Sequence, residues 1–162
     1  MAALAPLLVA WVAVGAVLSV IDIREHRLPN RIVMPMYAVV AFGLGLAGFL
    51  GGQWHVVRSL ESSGLWLAVI GMVWLVSSGR AMGFGDVKLA PLLGATLGWL
   101  NWDAAILGLM TCWLLGGVWS LVLLVTGRVR LGSSIAFGPF MFLGLGCGLL
   151  LGSGFGMAAS GL

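Results

Sequence analysis

The chain contains very few charged residues. Only 8% of its 162 residues are charged, whereas a soluble domain carries roughly 25%. Its hydrophobic share is 61% and its mean hydropathy is +1.14, which excludes a soluble enzyme and indicates an integral membrane protein. The net charge of +3 is too small to indicate a nucleic-acid partner. No polar linker, internal repeat or soluble second domain interrupts the apolar pattern, so we expect one membrane-embedded domain over residues 1–162.

Cysteine and histidine are scarce as well. Cys112 and Cys147 lie inside apolar runs, where a free cysteine behaves as a small hydrophobic residue. Because the sequence has no Cys-x-x-Cys pair, a thiolate zinc site is excluded, and we expect neither a metal nor a cofactor. His26 and His55 are predicted on opposite membrane faces, which argues against a Ser/His/Asp hydrolase.

Long apolar runs dominate the sequence. A membrane-spanning helix needs about 20 residues, and a shorter apolar run of about 14 residues needs tilting or a start inside the membrane. No positively charged segment precedes the first run, so it is predicted to be a permanent helix and not a cleaved signal peptide. We predict an all-α polytopic membrane protein with six transmembrane helices, at roughly 2–21, 32–50, 64–78, 88–101 (the short one), 103–126 and 138–158.

The basic residues are distributed unevenly between the two sets of loops. Arg58 lies in a predicted outer loop over 51–63, and the other seven follow the first, third and fifth runs: Arg24, Arg27, Arg31, Arg80, Lys88, Arg128 and Arg130. Basic loops stay in the cytoplasm. This rule predicts a multi-pass protein of the inner (plasma) membrane with both termini on the extracytoplasmic side.

Asp22 opens the first of two polar motifs, Asp22-Ile-Arg-Glu-His-Arg-Leu-Pro-Asn30. An ionisable residue at membrane depth is energetically costly and is a functional candidate for that reason. A purely structural interpretation also exists, in which Asp22 pairs with Arg24 or Arg27, and Asn30, after Pro29, caps the second helix.

Asp86 lies in the second motif, Gly83-Phe-Gly85-Asp86-Val-Lys88. Structurally, Asp86 would cap the fourth helix, with Pro91 in its first turn. Functionally, the two glycines would let a substrate backbone approach, while Lys88 either interacts with Asp86 or extends to the interface.

The two motifs together favour catalysis. Both aspartates are predicted at the cytoplasmic face, and two neighbouring carboxylates cannot both ionise easily, so they share a proton. One carboxylate then acts as a base towards water and the other as an acid towards a substrate carbonyl. This is the chemistry of an aspartyl protease.

A third piece, Phe137-Gly138-Pro139-Phe140, completes a set that resembles the type IV prepilin peptidases, membrane aspartyl proteases of the Gly-x-Gly-Asp class. The resemblance covers nearly the whole chain and implies that Asp22 and Asp86 are the catalytic pair. The further residues expected to bind substrate or shape the loops are Pro29, Asn30, Gly83, Gly85, Lys88, Gly138, Pro139 and Glu25.

The resemblance implies a reaction and its partners. The family removes the short basic leader of type IV prepilins and prepilin-like secretion proteins at the cytoplasmic face, cutting after a glycine, while the hydrophobic helix of the substrate stays in the bilayer beside the enzyme. Glu25 is a candidate partner for a positive leader residue, and its structural alternative is an ion pair with Arg24 or Arg27.

The sequence departs from the family in three respects. Larger members carry an N-terminal extension with Cys-x-x-Cys motifs and methylate the new N-terminus, whereas this sequence has no such motif, so a short peptidase-only form is expected. Leu28 replaces an isoleucine, and Ala136 stands where a proline is common.

A non-enzymatic alternative is a transporter or assembly subunit that uses Asp22 and Asp86 as an ion site. Transporters place such charges near the bilayer midplane, in paired halves. The sequence shows neither feature, which disfavours this alternative.

Overall fold

The computed structural model describes residues 5–25, 29–50, 52–80, 82–128 and 136–159, with side chains described from residue 9 onward except at 25 and 153–159. Within these ranges the chain contains no strand, which confirms the all-α part of the prediction. The six helices are α1 (Ala5–Glu25), α2 (Asn30–Phe49), α3 (Gln53–Val76), α4 (Phe84–Leu100), α5 (Trp102–Val125) and α6 (Gly138–Ala159).

Three of these helices, α2, α3 and α5, are long and apolar enough to cross a membrane. In α6, the stretch Gly138–Gly152 is apolar but shorter. Large apolar side chains also cover the outward faces of the helices, among them Phe42, Val118 and Leu150. These surfaces suit contact with lipid, because apolar side chains in such numbers are not left exposed to water.

The predicted outer loop over 51–63 is wrong, because α3 begins at Gln53. Polar residues in this stretch suggested a loop, but the structure places them on the first turns of a helix. The guanidinium of Arg58 caps the end of α4, donating hydrogen bonds of 2.6 to 2.7 Å to the carbonyls of Gly98, Trp99 and Leu100. Arg58 is therefore a structural residue that compensates the last carbonyls of a helix, which have no partner within the helix.

Helix α4 begins at Phe84, four residues before the predicted start near residue 88. Glycines at 83 and 85 suggested a loop up to Lys88, yet only Gly83 precedes the helix. Two corrections follow from the earlier start. Asp86 lies inside the first turn of α4, and Pro91 lies in the helix interior and not in its first turn.

Small residues allow two helix pairs to pack closely. In α4, a Cβ added to Gly94 would lie 2.7 Å from the carbonyl oxygen of Ser62 in α3. A Cβ added to Gly98 would lie 2.9 Å from the carbonyl oxygen of Arg58 in the same helix α3. In α6, a Cβ added to Gly148 would lie 2.6 Å from the carbonyl oxygen of Ala104 in α5. This small-residue packing is typical of helices that associate in lipid.

Candidate active site

Asp22 lies in the last turn of α1 and is almost fully buried, with 4% of its surface exposed. Its Oδ2 accepts a hydrogen bond of 2.8 Å from the backbone N–H of Gly138, the first residue of α6. The first N–H groups of a helix have no partner within the helix and carry its partial positive charge. The start of α6 therefore provides a donor suited to an ionised carboxylate.

Gly138 must be a glycine because of this close approach. A Cβ added there would lie 2.7 Å from Oδ2 of Asp22 and 3.3 Å from its Cγ, so any larger residue would displace the carboxylate. Pro139 follows as the second residue of α6, inside the first turn, where the missing N–H of proline breaks no hydrogen bond of the helix. The hydrogen bond from Gly138 therefore connects the third motif to Asp22 in the first motif.

Asp86 is held by its own helix. Its Oδ2 accepts a hydrogen bond of 3.2 Å from the N–H of Gly83, and its N–H donates to the Gly83 carbonyl at 3.1 Å. The carboxylate is 2% exposed, and its Oδ1 is buried without a hydrogen-bond partner among the described residues. One acceptor atom of this buried carboxylate is therefore uncommitted within the described structure.

A hydrogen bond between α1 and α4 sets the register of the two aspartates. Trp11 Nε1 donates to Thr96 Oγ1 at 3.0 Å. Asp22 lies 11 residues after Trp11 (22 − 11), and Asp86 lies 10 residues before Thr96 (96 − 86). At about 1.5 Å per residue, the aspartates are about 16 and 15 Å along their helices from this contact. Lys88, two residues after Asp86 (88 − 86), reaches Asn30, five residues after the end of α1 (30 − 25), so the two helices run antiparallel and both acids lie at about one level.

Lys88 and Asn30 connect the first two motifs directly. Lys88 Nζ donates to Asn30 Oδ1 at 3.0 Å and lies 4.9 Å from the ring centroid of Phe84. The hydroxyl of Tyr37 in α2 donates to the Lys88 carbonyl at 2.7 Å. The expected capping role of Asn30 is wrong, because Pro29 occupies the N-cap position and no side chain caps α2. Asn30 and Lys88 instead join α2 to α4 beside Asp86.

The glycines of the second motif are not explained by backbone conformation. Gly83 has φ −72° and ψ 151°, an extended geometry that any residue adopts, and Gly85 lies within α4. Among the other expected site residues, Glu25 ends α1, but its side chain lies outside the described residues, as do residues 26–28. An approach of substrate to the two glycines therefore stays a prediction.

Three residues of the site were not foreseen from the sequence. Trp11 and Thr96 set the register of the aspartates, and Tyr37 fixes the first turns of α4. Thr96 is a polar residue in the apolar part of α4, which is a usable signal because a buried hydroxyl needs a hydrogen-bond partner. The Trp11 partner cannot be identified without the three-dimensional arrangement.

Two buried carboxylates at one level form a site suited to acid–base chemistry. In the described part of the chain, no group of three or more His, Cys, Asp or Glu residues could hold a metal ion. What the arrangement offers is a pair of carboxyl groups that can hold one proton between them, as in aspartic proteases.

Comparison with known proteins agrees with this geometry. Residues 7–123, which contain both aspartates, match the model of the type IV leader peptidase family. No solved structure gives a significant match.

Curated relatives carry the name prepilin leader peptidase/N-methyltransferase. The protein of Stutzerimonas stutzeri is 30% identical over 157 residues, covering 91% of this chain and 50% of the relative. The Escherichia coli K12 protein is 30% identical over 127 residues, covering 78% of this chain and 55% of the relative. The chain thus spans about half the length of these relatives. With more than half of its residues matched to the family model, this chain belongs to the type IV leader peptidase family.

Proposed function

We propose that the chain is a membrane-embedded aspartic endopeptidase that removes the basic leader of type IV prepilins or prepilin-like secretion proteins. Cleavage takes place at the cytoplasmic membrane face, after a glycine of the leader. The substrates of the curated relatives, as their names give them, are prepilins. The proposal extends that substrate class to this chain and places the reaction on Asp22 and Asp86.

The convergence of Asp22 and Asp86 carries this proposal. The two acids are 64 residues apart in sequence (86 − 22), yet they lie buried at one level of two antiparallel helices. Burying two carboxylates towards the same end of one helix bundle is unfavourable, so a fold that maintains this arrangement is expected to use it. The family membership points to the same pair, since the matched residues include both motifs.

The reaction follows from one proton held by the pair. The ionised carboxylate takes a proton from a water molecule while the water oxygen attacks the scissile carbonyl carbon. The protonated carboxyl donates its proton to the carbonyl oxygen. The tetrahedral intermediate then collapses. As the C–N bond breaks, the carboxyl that took the water proton gives it to the departing amine, and the other carboxylate recovers a proton from a hydroxyl of the intermediate. The uncommitted Oδ1 of Asp86 is suited to contact the water or the substrate. The backbone donor of Gly138 stabilises charge on Asp22.

The membrane arrangement in this proposal has six crossings and both termini outside the cytoplasm. It rests on the uneven distribution of the basic residues and on the positive-inside rule. In a variant with Cys112 and Cys147 replaced by alanine, a cysteine introduced at Gln53 should react with an impermeant thiol reagent in intact cells. A cysteine at Glu25 should react only after lysis. Labelling of Glu25→Cys from outside would contradict the cytoplasmic placement of the site.

The direct test is cleavage of a prepilin by the purified chain in detergent or liposomes. We expect release of the leader and a new N-terminus immediately after the leader glycine, read by mass spectrometry. With a methyl donor present, we expect the new N-terminus to stay unmodified. An intact prepilin after incubation with folded protein would refute the proposed activity.

A further inference from the structure

We propose that a groove between α1 and α6 binds the hydrophobic helix of the substrate. The groove has a volume of about 450 Å³. On one side it is lined by Val12, Gly15 and Ser19 of α1, and on the other by Pro139, Leu143 and Gly146 of α6. This inference rests on the proposed function and adds to it the face of the protein from which the substrate reaches the carboxylates.

The groove is continuous with the catalytic site. Ser19 lies one helical turn before Asp22, and Pro139 follows Gly138, whose N–H is bonded to the Asp22 carboxylate. The lining extends to Trp11, 11 residues before Asp22 (22 − 11), or about 16 Å along α1. An occupant lying along the groove therefore has one end beside Asp22.

The lining determines which occupant fits. Apart from Ser19 its side chains are apolar, and Gly146, where an added Cβ meets no described atom within 4 Å, leaves room for close approach of a backbone. In lipid a polypeptide must satisfy its own backbone hydrogen bonds, so a chain in this groove must be helical. Small residues are the usual contact surface for such a helix. The hydrophobic helix of a prepilin has this chemistry, and its leader end would arrive at the carboxylate.

A second groove lacks the same continuity. It has a volume of about 300 Å³ and is lined by α2, α3 and α4, including Gly45 and Pro91. Neither catalytic aspartate nor a residue adjacent to one belongs to its lining. It therefore serves as an internal control with a similarly apolar lining.

Filling the two grooves in turn tests the proposal. Among the described residues, no atom lies within 4 Å of a Cβ added at Gly146 or at Gly45, so leucine can be introduced at either position. We expect Gly146→Leu to raise the KM for full-length prepilin by about tenfold or more while kcat is largely retained. Gly45→Leu should leave both constants near wild type. A loss of kcat alone in Gly146→Leu, or equal effects of the two substitutions, would overturn the proposal.

Photo-crosslinking gives a readout that does not depend on turnover. Val12 borders the groove and is 76% exposed, while Leu114, on α5 and outside the groove lining, is 67% exposed. With a photoreactive residue at Val12 in an Asp86→Asn chain, we expect an adduct to prepilin, and none from Leu114.

Other adducts would refute the groove proposal. Adducts from Val12 to a second copy of this chain would identify a self-association surface, and adducts to lipid alone would identify a lipid-filled groove. A wild-type chain that binds prepilin at Val12 but does not cleave it would refute the proposed activity and leave the groove assignment standing.

Discussion

The two aspartates of the proposed catalytic pair are both buried, but different parts of the chain hold them. Asp86 is fixed by Gly83, three residues away, through hydrogen bonds within the first turn of α4. Asp22 is fixed by Gly138, which is 116 residues away at the start of α6. One carboxylate is therefore oriented as soon as its own helix forms, whereas the other is oriented only after the last helix has packed on the first.

The site therefore has two parts. The local half is Asp86 with Gly83, whose contacts lie within one helical turn, and the assembled half is Asp22 with Gly138, whose contact joins two helices. The local half tolerates changes elsewhere in the bundle because its contacts lie within one helical turn. The assembled half depends on the packing of α1 against α6, where a Cβ at Gly15 would lie 2.8 Å from the ring of Phe142. Substitutions at the α1–α6 contact should therefore impair Asp22 while leaving Asp86 in place.

The largest effect is expected from removing either carboxylate. Asp22→Asn and Asp86→Asn should each lower cleavage by at least about 10²-fold, because acid–base catalysis by a positioned side chain contributes this much or more. Each variant should still insert, since a neutral residue at membrane depth costs less than a charged one. Prepilin processing at matched expression measures the effect. Near-wild-type cleavage by either variant would remove that residue from the proposed pair.

Gly138→Ala tests the assembled half. The new Cβ would lie 2.7 Å from Oδ2 of Asp22, so the carboxylate has to move. A displacement of about 1 Å in an active site can cost about 10²-fold in rate, and we expect a loss of that order. Gly117→Ala is the matched control, because a Cβ at this helical glycine meets nothing within 4 Å. If both variants cleave alike, the Gly138–Asp22 contact does not position the catalytic group.

Gly83→Pro tests the local half. Its φ of −72° suits proline, so the substitution chiefly removes the N–H that donates to Asp86. Loss of one hydrogen bond of this kind costs about 1 kcal/mol, or about fivefold in rate, which is less than for Gly138→Ala. Gly83→Ala keeps the N–H and separates the lost donor from the lost glycine. A larger loss in Gly83→Pro than in Gly138→Ala would reverse the ranking of the two halves.

The link between Asn30 and Lys88 should have a smaller effect. A double-mutant cycle with Asn30→Ala and Lys88→Met should give a coupling of about 1 kcal/mol in thermal stability, because the 3.0 Å hydrogen bond lies at the surface. Arg80→Met is the control for lost positive charge, since the Arg80 Nε donates to the nearby Ser77 carbonyl and not to α2 within the described residues. Additive single effects would show that the contact does not stabilise the α2–α4 pair.

The smallest effect is expected at Glu25. If Glu25 contacts a positive leader residue, Glu25→Gln should slow cleavage of a basic leader by up to about fivefold, the size of an exposed ion pair of about 1 kcal/mol. A neutralised leader should be cleaved equally by both enzymes. Glu61→Gln, an exposed change on α3, controls for the loss of one acidic group. Equal slowing of both substrates would restrict Glu25 to a structural role.

The sequence was sufficient to predict the helical class and the six helices that the described residues form. The assignment of Asp22 and Asp86 as a catalytic pair stays a prediction. Apolar runs of spanning length report helices in lipid directly, and an aspartate at the end of such a run is unusual enough to be noticed. Gly138 was also predicted to belong to the site, but only through the family resemblance. Its physical role depends on a contact with α1 that no local pattern encodes.

The errors arose where polar residues lie inside helices. Arg58 and its polar neighbours suggested a loop, because nothing local shows that a guanidinium will cap a helix 40 residues away. Gly85 suggested that α4 starts later than it does, since glycine lowers helix propensity by about 1 kcal/mol but does not forbid a helix. For Arg58, tertiary contacts with the end of α4 outweigh the local preference.

The connection between α4 and α5 has a consequence for the bilayer itself. Asn101 is the only residue between the two helices. Its Oδ1 accepts from Ala104 N–H at 2.6 Å, and its Nδ2 donates to the Gly152 carbonyl at 2.9 Å. Together with Arg58, it gives this turn protein partners for its polar groups, so the turn can lie in hydrocarbon.

Because the turn needs no water, the length of α4 need not match the membrane. Its 17 residues span about 26 Å, against about 30 Å for the hydrocarbon core of a typical bilayer. If α4 crosses the membrane, the shortfall of about 4 Å is met by a turn that lies below the headgroup layer, and the bilayer need not thin beside this helix. Cleavage should then change little in bilayers of moderately longer-chain lipids.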